Sequence, residues 1–436
     1  MDLPLRTITA GEVDAFITSL SVPFLEAGDE SVRAHWAPHV EPDRAWAVVD
    51  EGHFVATSCT FTRNVTVPGA PDEPAPTVAL AAVSGVGVHP THRRRGLMRR
   101  LMGAMVDDAR RRGEPLAGLL ASESGIYGRF GFGHAATSAE VVIDPARAAM
   151  RAAVAAADVA LLDGHEAAKV LPELHDRLRR RRPGEVDRDA ATWASILADP
   201  VSGRDGGSAQ YYAVADDGYA IYRAHETSAS GLYGARLELR DLYGASPETE
   251  AALWDFLCHI DLVREIVARG VPVDDPLRWR LTDPRQVRTR SLQDRLWLRV
   301  LDVAAALEGR RYRAEGTLTL EVRADEAASD AAVASDPAVA SDPAVAGDAA
   351  VAGDAAVNGR WVLDAGPDGA SCRRAPAGRA PDLSLAVADL GAIYLGGVAP
   401  ATLAAAGRVV EHRRGALGTA DALFATHPAP FAGTGF

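Results

Sequence analysis

Lysine is all but missing from this 436-residue chain: Lys169 stands alone against 45 arginines. Alanine is abundant, and the skew reads as the codon usage of a GC-rich genome, not as a functional device. Cysteine is scarce too. Cys59, Cys258 and Cys372 lie far apart and exclude a disulfide framework, which fits a reducing cytoplasm. No run of uncharged apolar residues is long enough for a membrane span. The opening MDLPLRTITAGEVD lacks a basic start followed by an apolar segment, so no secretory signal is expected. Basic charge is not in surplus either. A formal net charge of −13 argues against general binding to nucleic acid or an anionic membrane. What remains is a globular composition, 47% hydrophobic and 24% charged, in a chain long enough for several domains.

Residues 1–146 read as alternating strands and helices. Val13, Phe16, Ile17 and Leu20 share one helical face. RAWAVVD and HFVATSCTFTRNVTV flank Glu51-Gly52 as two strands around a tight turn. TVALAAVSGVGV is a third strand, and helix 96–112 carries Leu97, Leu101, Met105 and Ala109 along one stripe. LAGLLAS and AATSAEVVID read as further strands. Residues 147–297 repeat this pattern more loosely. There SAQYYAVADDGYAIYRAH predicts two strands around Asp216-Asp217-Gly218, and Ser246 caps a helix with Glu248 and Glu250 in its first turn. Residues 298–436 hold the alternating strand GTLTLEV, then RWVLDAG and DLSLAVADLGAIYLGG. Within them, 330–358 is a six-residue repeat with valine at 333, 339, 345, 351 and 357. Its small residues bury too little surface for a coil of their own, which predicts a disordered insertion.

The stretch VSGVGVHPTHRRRGLM (83–98) carries the chemistry. A strand ends at Pro90, three arginines follow, and Gly96 opens a helix. The N-terminus of a helix presents unpaired N–H groups and the positive end of its dipole, so an anion is favoured there. Gly96 would let a pyrophosphate approach the backbone, and Arg93, Arg94 and Arg95 add charge. The glycines of SGVGV mark a bulge or close approach, where an extended amide chain could lie as an added strand. A pyrophosphate at one end and an amide chain at the other describe coenzyme A.

Arg93-Arg94-Arg95-Gly96-Leu97-Met98 resembles motif A of the GCN5-related N-acetyltransferases (GNAT), with Met98 departing from the usual small residue. HPTHRRRGLMRRLM, SESGIYGRFGFG and the carboxy-terminal aromatic together resemble the enhanced intracellular survival (Eis) branch. That resemblance implies a mixed α/β chain in three parts: an acetyl-CoA-binding GNAT domain (1–146), a degenerate GNAT-like domain (147–297) and a sterol-carrier-protein-like domain (298–436). It implies acetyl-CoA as co-substrate, no metal, and transfer to primary amines of polycationic small molecules such as aminoglycosides. It also implies a cytoplasmic homohexamer. Tyr127 is implied as the acid that protonates the departing thiolate, and the α-carboxylate of Phe436 as the base, carried into the site by the chain end. Val86, Val88, Arg93, Arg94, Arg95, Gly96, Leu97 and Met98 correspond to cofactor positions, with Ser122 and Glu123 lining the same cleft. Glu26 and Trp36 fall where the family lines its amine pocket, a carboxylate and a ring face suited to ammonium groups.

Other readings of these residues stay open in the sequence. Tyr127 could be a packed tyrosine beside Phe130 and Phe132, and Asp29 or Glu30 could replace Glu26. His89 and His92 lack the neighbours of a zinc site. GHEAAK has Lys169 where a zinc protease needs its second histidine. The Arg179–Arg182 run reads as a solvated helix face or subunit contact. A different class of function is a lipid carrier built on LSLAVADLGAIYLGG, with the acetyltransferase layer vestigial.

Overall fold

The computed structural model describes residues 3–26, 28–70, 73–152, 158–229, 232–324, 354 and 356–436. The chain opens with β1 (Leu5–Thr7), α1 (Val13–Ser21), α2 (Glu30–Trp36), β2 (Ala45–Asp50), β3 (His53–Thr66) and β4 (Thr77–Val88). Next come α3 (Leu97–Arg111), β5 (Leu116–Leu119), α4 (Ser124–Tyr127) and β6 (Gly133–Ile143). The middle runs through β7 (Ala160–Leu162), α5 (Gly164–Arg179), α6 (Ala190–Ala198), β8 (Tyr211–Ala215) and β9 (Gly218–Ala229). It continues with β10 (Leu232–Gly244), α7 (Pro247–Cys258), β11 (Val263–Pro272), α8 (Leu277–Arg280) and β12 (Val287–Val300). The last part holds α9 (Val303–Glu308), β13 (Gly316–Arg323), β14 (Gly359–Gly366), β15 (Gly369–Arg374) and β16 (Leu383–Ala386). It closes with α10 (Val387–Tyr394), α11 (Pro400–Ala405), β17 (Val409–Glu411) and α12 (Ala416–Phe424). No helix among the described residues is long and apolar enough to cross a membrane.

These residues form two compact units, one of 1–136, 294–427 and 435–436, the other of 137–293 and 428–434. In the first unit the sheet order is β1-β2-β3-β4-β5-β12, with β4 and β5 parallel and α3 as their crossover. Glu51 and Gly52 both take positive φ, 47° and 83°, the conformation a two-residue hairpin turn demands. The apolar stripe of α3 is buried as its spacing predicts. Leu97 and Leu101 pack on Val48 and Val55, while Met105 and Ala109 pack on Ala81, Val83 and Ala117. The turn after α3 is pinned by a buried ion pair: Arg44 Nη1 and Nη2 donate to the two oxygens of Glu114 at 2.8 and 2.6 Å.

A second sheet in this unit has the order β15-β14-β13-β16-β17. Its helix α10 is buried along its whole length and packs backbone to backbone on neighbours. A Cβ at Gly391 would strike the Leu298 carbonyl of β12, and one at Gly133 would strike Ala388 of α10. Glycine is the residue that permits this approach. The expected boundary between 297 and 298 falls inside β12, and Trp297–Val300 pair with Leu119–Leu116 of β5. Most of the expected 330–358 insertion lies outside the described residues. Its last hexad does not fit a disordered insertion: Asp354 and Val357 are buried, and Asp354 pairs with Arg110 and Arg299.

The second unit has the order β6-β11-β10-β9-β8-β7, with β10 and β11 parallel and α7 between them in sequence. Ser246 accepts from Thr249 N at 3.1 Å and caps α7 as expected. The Arg179–Arg182 run is not a simple solvated face. Arg179 is buried beside Asp176, and Arg182 donates to Asp274 at 2.6 Å. Arg179 falls on the same helical stripe as Ala167, Leu171 and His175, which carries it inward.

Beneath this turn lies a buried polar cluster. Arg188 pairs with Asp241, both nearly inaccessible, and His175 Nδ1 meets the Tyr219 hydroxyl at 2.9 Å. Burial alone would raise the Asp241 carboxyl, but the Arg188 charge outweighs it and holds the group below its ordinary value. Glu185 has no such dedicated partner. Burial pushes it up to about 7, against the opposing pull of Arg188 and the Gly433 N–H. A carboxyl raised on folding favours the native state at low pH and loses that contribution as pH climbs from its unfolded value through about 7. Glu185→Gln is therefore expected to stabilise the protein relative to the parent as pH rises from 5 to 8. Thermal melts across that range check it; a constant difference contradicts the burial account.

Candidate active site

The ladder between β4 and β5 runs from Leu80↔Leu116 to Val83↔Leu119 and stops. Strand β4 continues to Val88 with only β3 beside it among the described residues. Immediately past the last paired residue β4 is bulged: the register with β3 shifts between Thr57↔Gly87 and Cys59↔Ser84. Gly85 sits in the bulge at φ 59°, crowded by Leu20 Cδ1 at 3.1 Å and Cys59 Sγ at 3.2 Å from where a Cβ would lie. Only glycine meets both demands. The bulge resets the alternation, so Gly85 and Gly87 are buried while Ser84, Val86 and Val88 are half-buried. The result is a notch at the end of the parallel pair, one wall of which is the edge of a strand.

The turn after β4 is built from two left-handed residues, Arg94 at φ 64° and Gly96 at φ 70°. Gly96 is the N-cap of α3 and makes no side-chain cap bond, so the first-turn N–H groups of a 15-residue helix lie at an exposed turn. The structure refines the reason for glycine here. No protein atom lies within 4 Å of a Cβ on Gly96; the left-handed φ favours glycine, and the space outside it is open. Arg93, Arg94 and Arg95 are exposed around this turn. Leu97 is different, because its side chain is core and only its backbone faces the turn. Met98 lies partly buried against the β4–β5 core, so the departure from a small residue is absorbed by packing. His89 Nε2 lies 3.0 Å from Ser19 Oγ, and His92 Nε2 lies 2.9 Å from Asp50 Oδ2.

Beyond β5 the chain passes Leu120 and Ser122 into α4, whose last residue is Tyr127. Tyr127 is buried, edge-on to Phe132 at 6.3 Å. Burial pushes its phenol above the ordinary value, a hydrogen bond with Ser122 offsets part of this, and the Glu123 charge adds to it. The phenol thus keeps its proton across the neutral range. Packing beside Phe130 and Phe132 and a raised phenol coexist in this tyrosine.

Sequence reasoning missed what holds this turn. Arg299 on β12 is buried, donating Nη1 to the Phe130 carbonyl at 2.7 Å and Nη2 to Asp354 Oδ2 at 3.0 Å. An arginine inside the apolar strand RLWLRV was the available signal, since a buried cation needs named partners.

The residues expected to line an amine pocket lie elsewhere in the same unit. Pro23 and Phe24 pack where a Cβ on Gly87 would sit, which brings the loop after α1 onto β4. Glu26 on this loop is exposed, and Trp36 on α2 is half-buried against Phe61 of β3, ring centroids 6.4 Å apart. Asp29 is engaged as the N-cap of α2, accepting from Ser31 N and Val32 N, and Glu30 reaches Arg33 at 3.7 Å. Both alternatives to Glu26 therefore have local duties. The chain end belongs to this unit too. Leu120 Cδ1 and Arg295 Nη2 each lie 3.9 Å from where a Gly435 Cβ would be, at the end of β5, and Phe436 is half-buried.

Acetyltransferase (GNAT) domain families match residues 4–135 and 184–300, and a sterol carrier protein domain family matches 350–433. An uncharacterized N-acetyltransferase of Streptomyces griseus is 37% identical over 99% of both chains. The N-acetyltransferase Eis of Mycobacterium tuberculosis is 32% identical over 92% of this chain and 90% of its own length. The chain belongs to the Eis family of N-acetyltransferases. The crystal structure of Eis1 from Mycobacterium abscessus superposes with a TM-score of 0.83 at 31% identity, covering 99% of this chain and all of that one. A GCN5-related N-acetyltransferase from Anabaena variabilis shares the fold, with a TM-score of 0.79 at 18% identity. The protein is an acyltransferase, and its GNAT fold implies acetyl-CoA as co-substrate. The open edge of β4 and the exposed turn at Gly96 suit that molecule's amide chain and pyrophosphate.

Gly96→Ala tests the turn. An L-residue at this φ costs about 1 kcal/mol or more, so the turn relaxes and the cofactor has to restore it. The acetyl-CoA dissociation constant is expected to rise about fivefold or more by titration calorimetry; an unchanged constant would separate the turn from cofactor binding.

Proposed function

We propose that this protein transfers the acetyl group of acetyl-CoA directly to primary amines of polycationic small molecules, aminoglycosides among them. Val86 and Val88 flank the amide chain, and the turn Arg93–Met98 takes the pyrophosphate. Ser122 and Glu123 line the thiol end. Glu26 attracts the cationic acceptor and the Trp36 ring face supports its ammonium groups. The terminal carboxylate of Phe436 takes a proton from the ammonium, leaving the nitrogen lone pair to attack the thioester carbon. A C–N bond forms and the C–S bond breaks, and the Tyr127 phenol supplies a proton to the departing sulfur. The second N–H proton of the acylated nitrogen passes to the resulting phenolate, leaving one net proton on the carboxyl. The Phe436 carboxyl then releases that proton to solvent.

The observation that carries this reading is the meeting of two features at one end of β5. The strand leads into the buried, proton-bearing Tyr127, and Gly435 of the chain terminus lies against Leu120. An acid and a base close to one thioester carbonyl are what amine acetylation needs, and orienting the reactants supplies much of the remaining rate. We place the working enzyme in the cytoplasm as a homohexamer, without a metal.

Thiol release from acetyl-CoA is expected only when a polyamine or aminoglycoside is present. Tyr127→Phe and deletion of Phe436 should each lower kcat by about 100-fold or more. The acid must stay protonated, so activity in the parent should persist to a pH beyond the ordinary phenol value of about 10, then fall as the raised Tyr127 titrates. Turnover without an amine, or full turnover in both variants, rejects the assignment.

A further inference from the structure

The segment Arg182-Pro183-Gly184-Glu185-Val186-Asp187-Arg188 has no part in the chemistry above, yet the C-terminal tail runs along it residue by residue. Arg182 donates to the Ala429 carbonyl at 2.7 Å, and Ala429 N donates to Asp274 at 2.7 Å. Phe431 N donates to the Pro183 carbonyl at 2.9 Å. Gly433 N donates to Glu185 Oε2 at 3.1 Å, and Thr434 Oγ1 donates to the Val186 carbonyl at 2.9 Å while accepting from Arg188 Nε at 3.1 Å. Two glycines make the fit possible. Gly184 is left-handed, φ 92°, with Phe431 backbone 2.8 Å from where its Cβ would lie, and a Cβ on Gly433 would strike the Tyr243 hydroxyl.

The place the tail occupies is informative. Strand β10 is paired with β11 from Ala235↔Val263 to Leu239↔Ala268, then runs on to Gly244. The tail touches β10 at Tyr243 and approaches β11 at Gly270, where Phe431 Cζ stands 3.9 Å from a built Cβ. This gap past the end of a parallel pair corresponds to the β4–β5 notch of the first unit. The helix that follows β10 offers no anion site: Ser246 caps it, and Glu248 and Glu250 occupy its first turn.

We infer that the second unit has become a receptor for the protein's own C-terminal tail, its notch filled by residues 429–434, and that Arg188 and Thr434 are positioning residues for the terminal carboxylate. The inference rests on Phe436 being the base. Thr434 is two residues from the terminus, so its fixed hydroxyl limits how far the carboxylate can wander. Arg188 is itself held by Asp241 through two hydrogen bonds, so the anchor is rigid.

Thr434→Val removes the hydroxyl and keeps the shape; Thr434→Ser restores the hydroxyl. With acetyl-CoA and a polyamine, Thr434→Val is expected to lower kcat between about 10- and 100-fold with an unchanged acetyl-CoA KM, since loss of alignment costs that much. Thr434→Ser should recover most of the rate, and combining Thr434→Val with deletion of Phe436 should add nothing to the deletion. Titration with coenzyme A should give one site per chain. A silent Thr434→Val beside a crippling Phe436 deletion overturns the positioning role and leaves the base in place. If the deletion is silent as well, the base assignment falls and this inference with it. Two coenzyme A sites per chain contradict a filled second notch.

Discussion

Where β4 outruns β5, a strand edge loses its hydrogen-bonding neighbour inside an otherwise complete sheet. Backbone amides and carbonyls there need partners as much as any others do, and the β5 ladder supplies none beyond Val83 and Leu119 among the described residues. Gly85 fixes the point of departure, since its left-handed bulge is wedged against Leu20 and Cys59. The residues of the proposed mechanism are arranged about this gap: the turn at Gly96 at one end of the β4 edge, the buried Tyr127 phenol past the end of β5, and the chain terminus against Leu120. In the proposed binding mode an amide chain would complete the sheet as an extra strand does.

The second unit shows the same geometry put to a different use. Its parallel pair β10–β11 also parts early, but the chain's own tail lies in the opening. The turn that would receive a pyrophosphate carries acidic residues in place of arginines. The third part of the chain is likewise committed to structure at the point of contact. The segment LSLAVADLGAIYLGG, read from sequence as carrier-like, contains β16 and α10, and α10 spends its surface on β12 and Gly133. Arg299 and Asp354 extend that support to the turn bearing Tyr127.

Much of this was legible in the residues. The Glu51-Gly52 hairpin, the α3 stripe, the Ser246 cap and the bulge at SGVGV are local features, set by spacing and by glycine, and they appear where the sequence predicts. The turn at Gly96 was legible as well, although its glycine answers to a left-handed φ and not to protein crowding. Long-range partnerships were not. Nothing in Arg182-Pro-Gly-Glu announces that Ala429 and Phe431 will lie against it, because the contact joins residues some 250 positions apart. The pairing of Arg299 with Asp354 was hidden for the same reason, and Asp354 looked like one more unit of a small-residue repeat. The expected boundary at 297/298 split β12, since the order of elements along the chain cannot register that Trp297–Val300 complete the first sheet.

The central claim is that one co-substrate is held by backbone, along Ser84–Val88 and at Gly96–Met98. Amide hydrogen exchange on the full chain, with and without acetyl-CoA, measures this directly. The account predicts slowed exchange at these two segments together, with the tail 429–434 already protected in the free protein. Protection by acetyl-CoA along Tyr243–Glu248, with Ser84–Val88 and Gly96–Met98 unchanged, would contradict it.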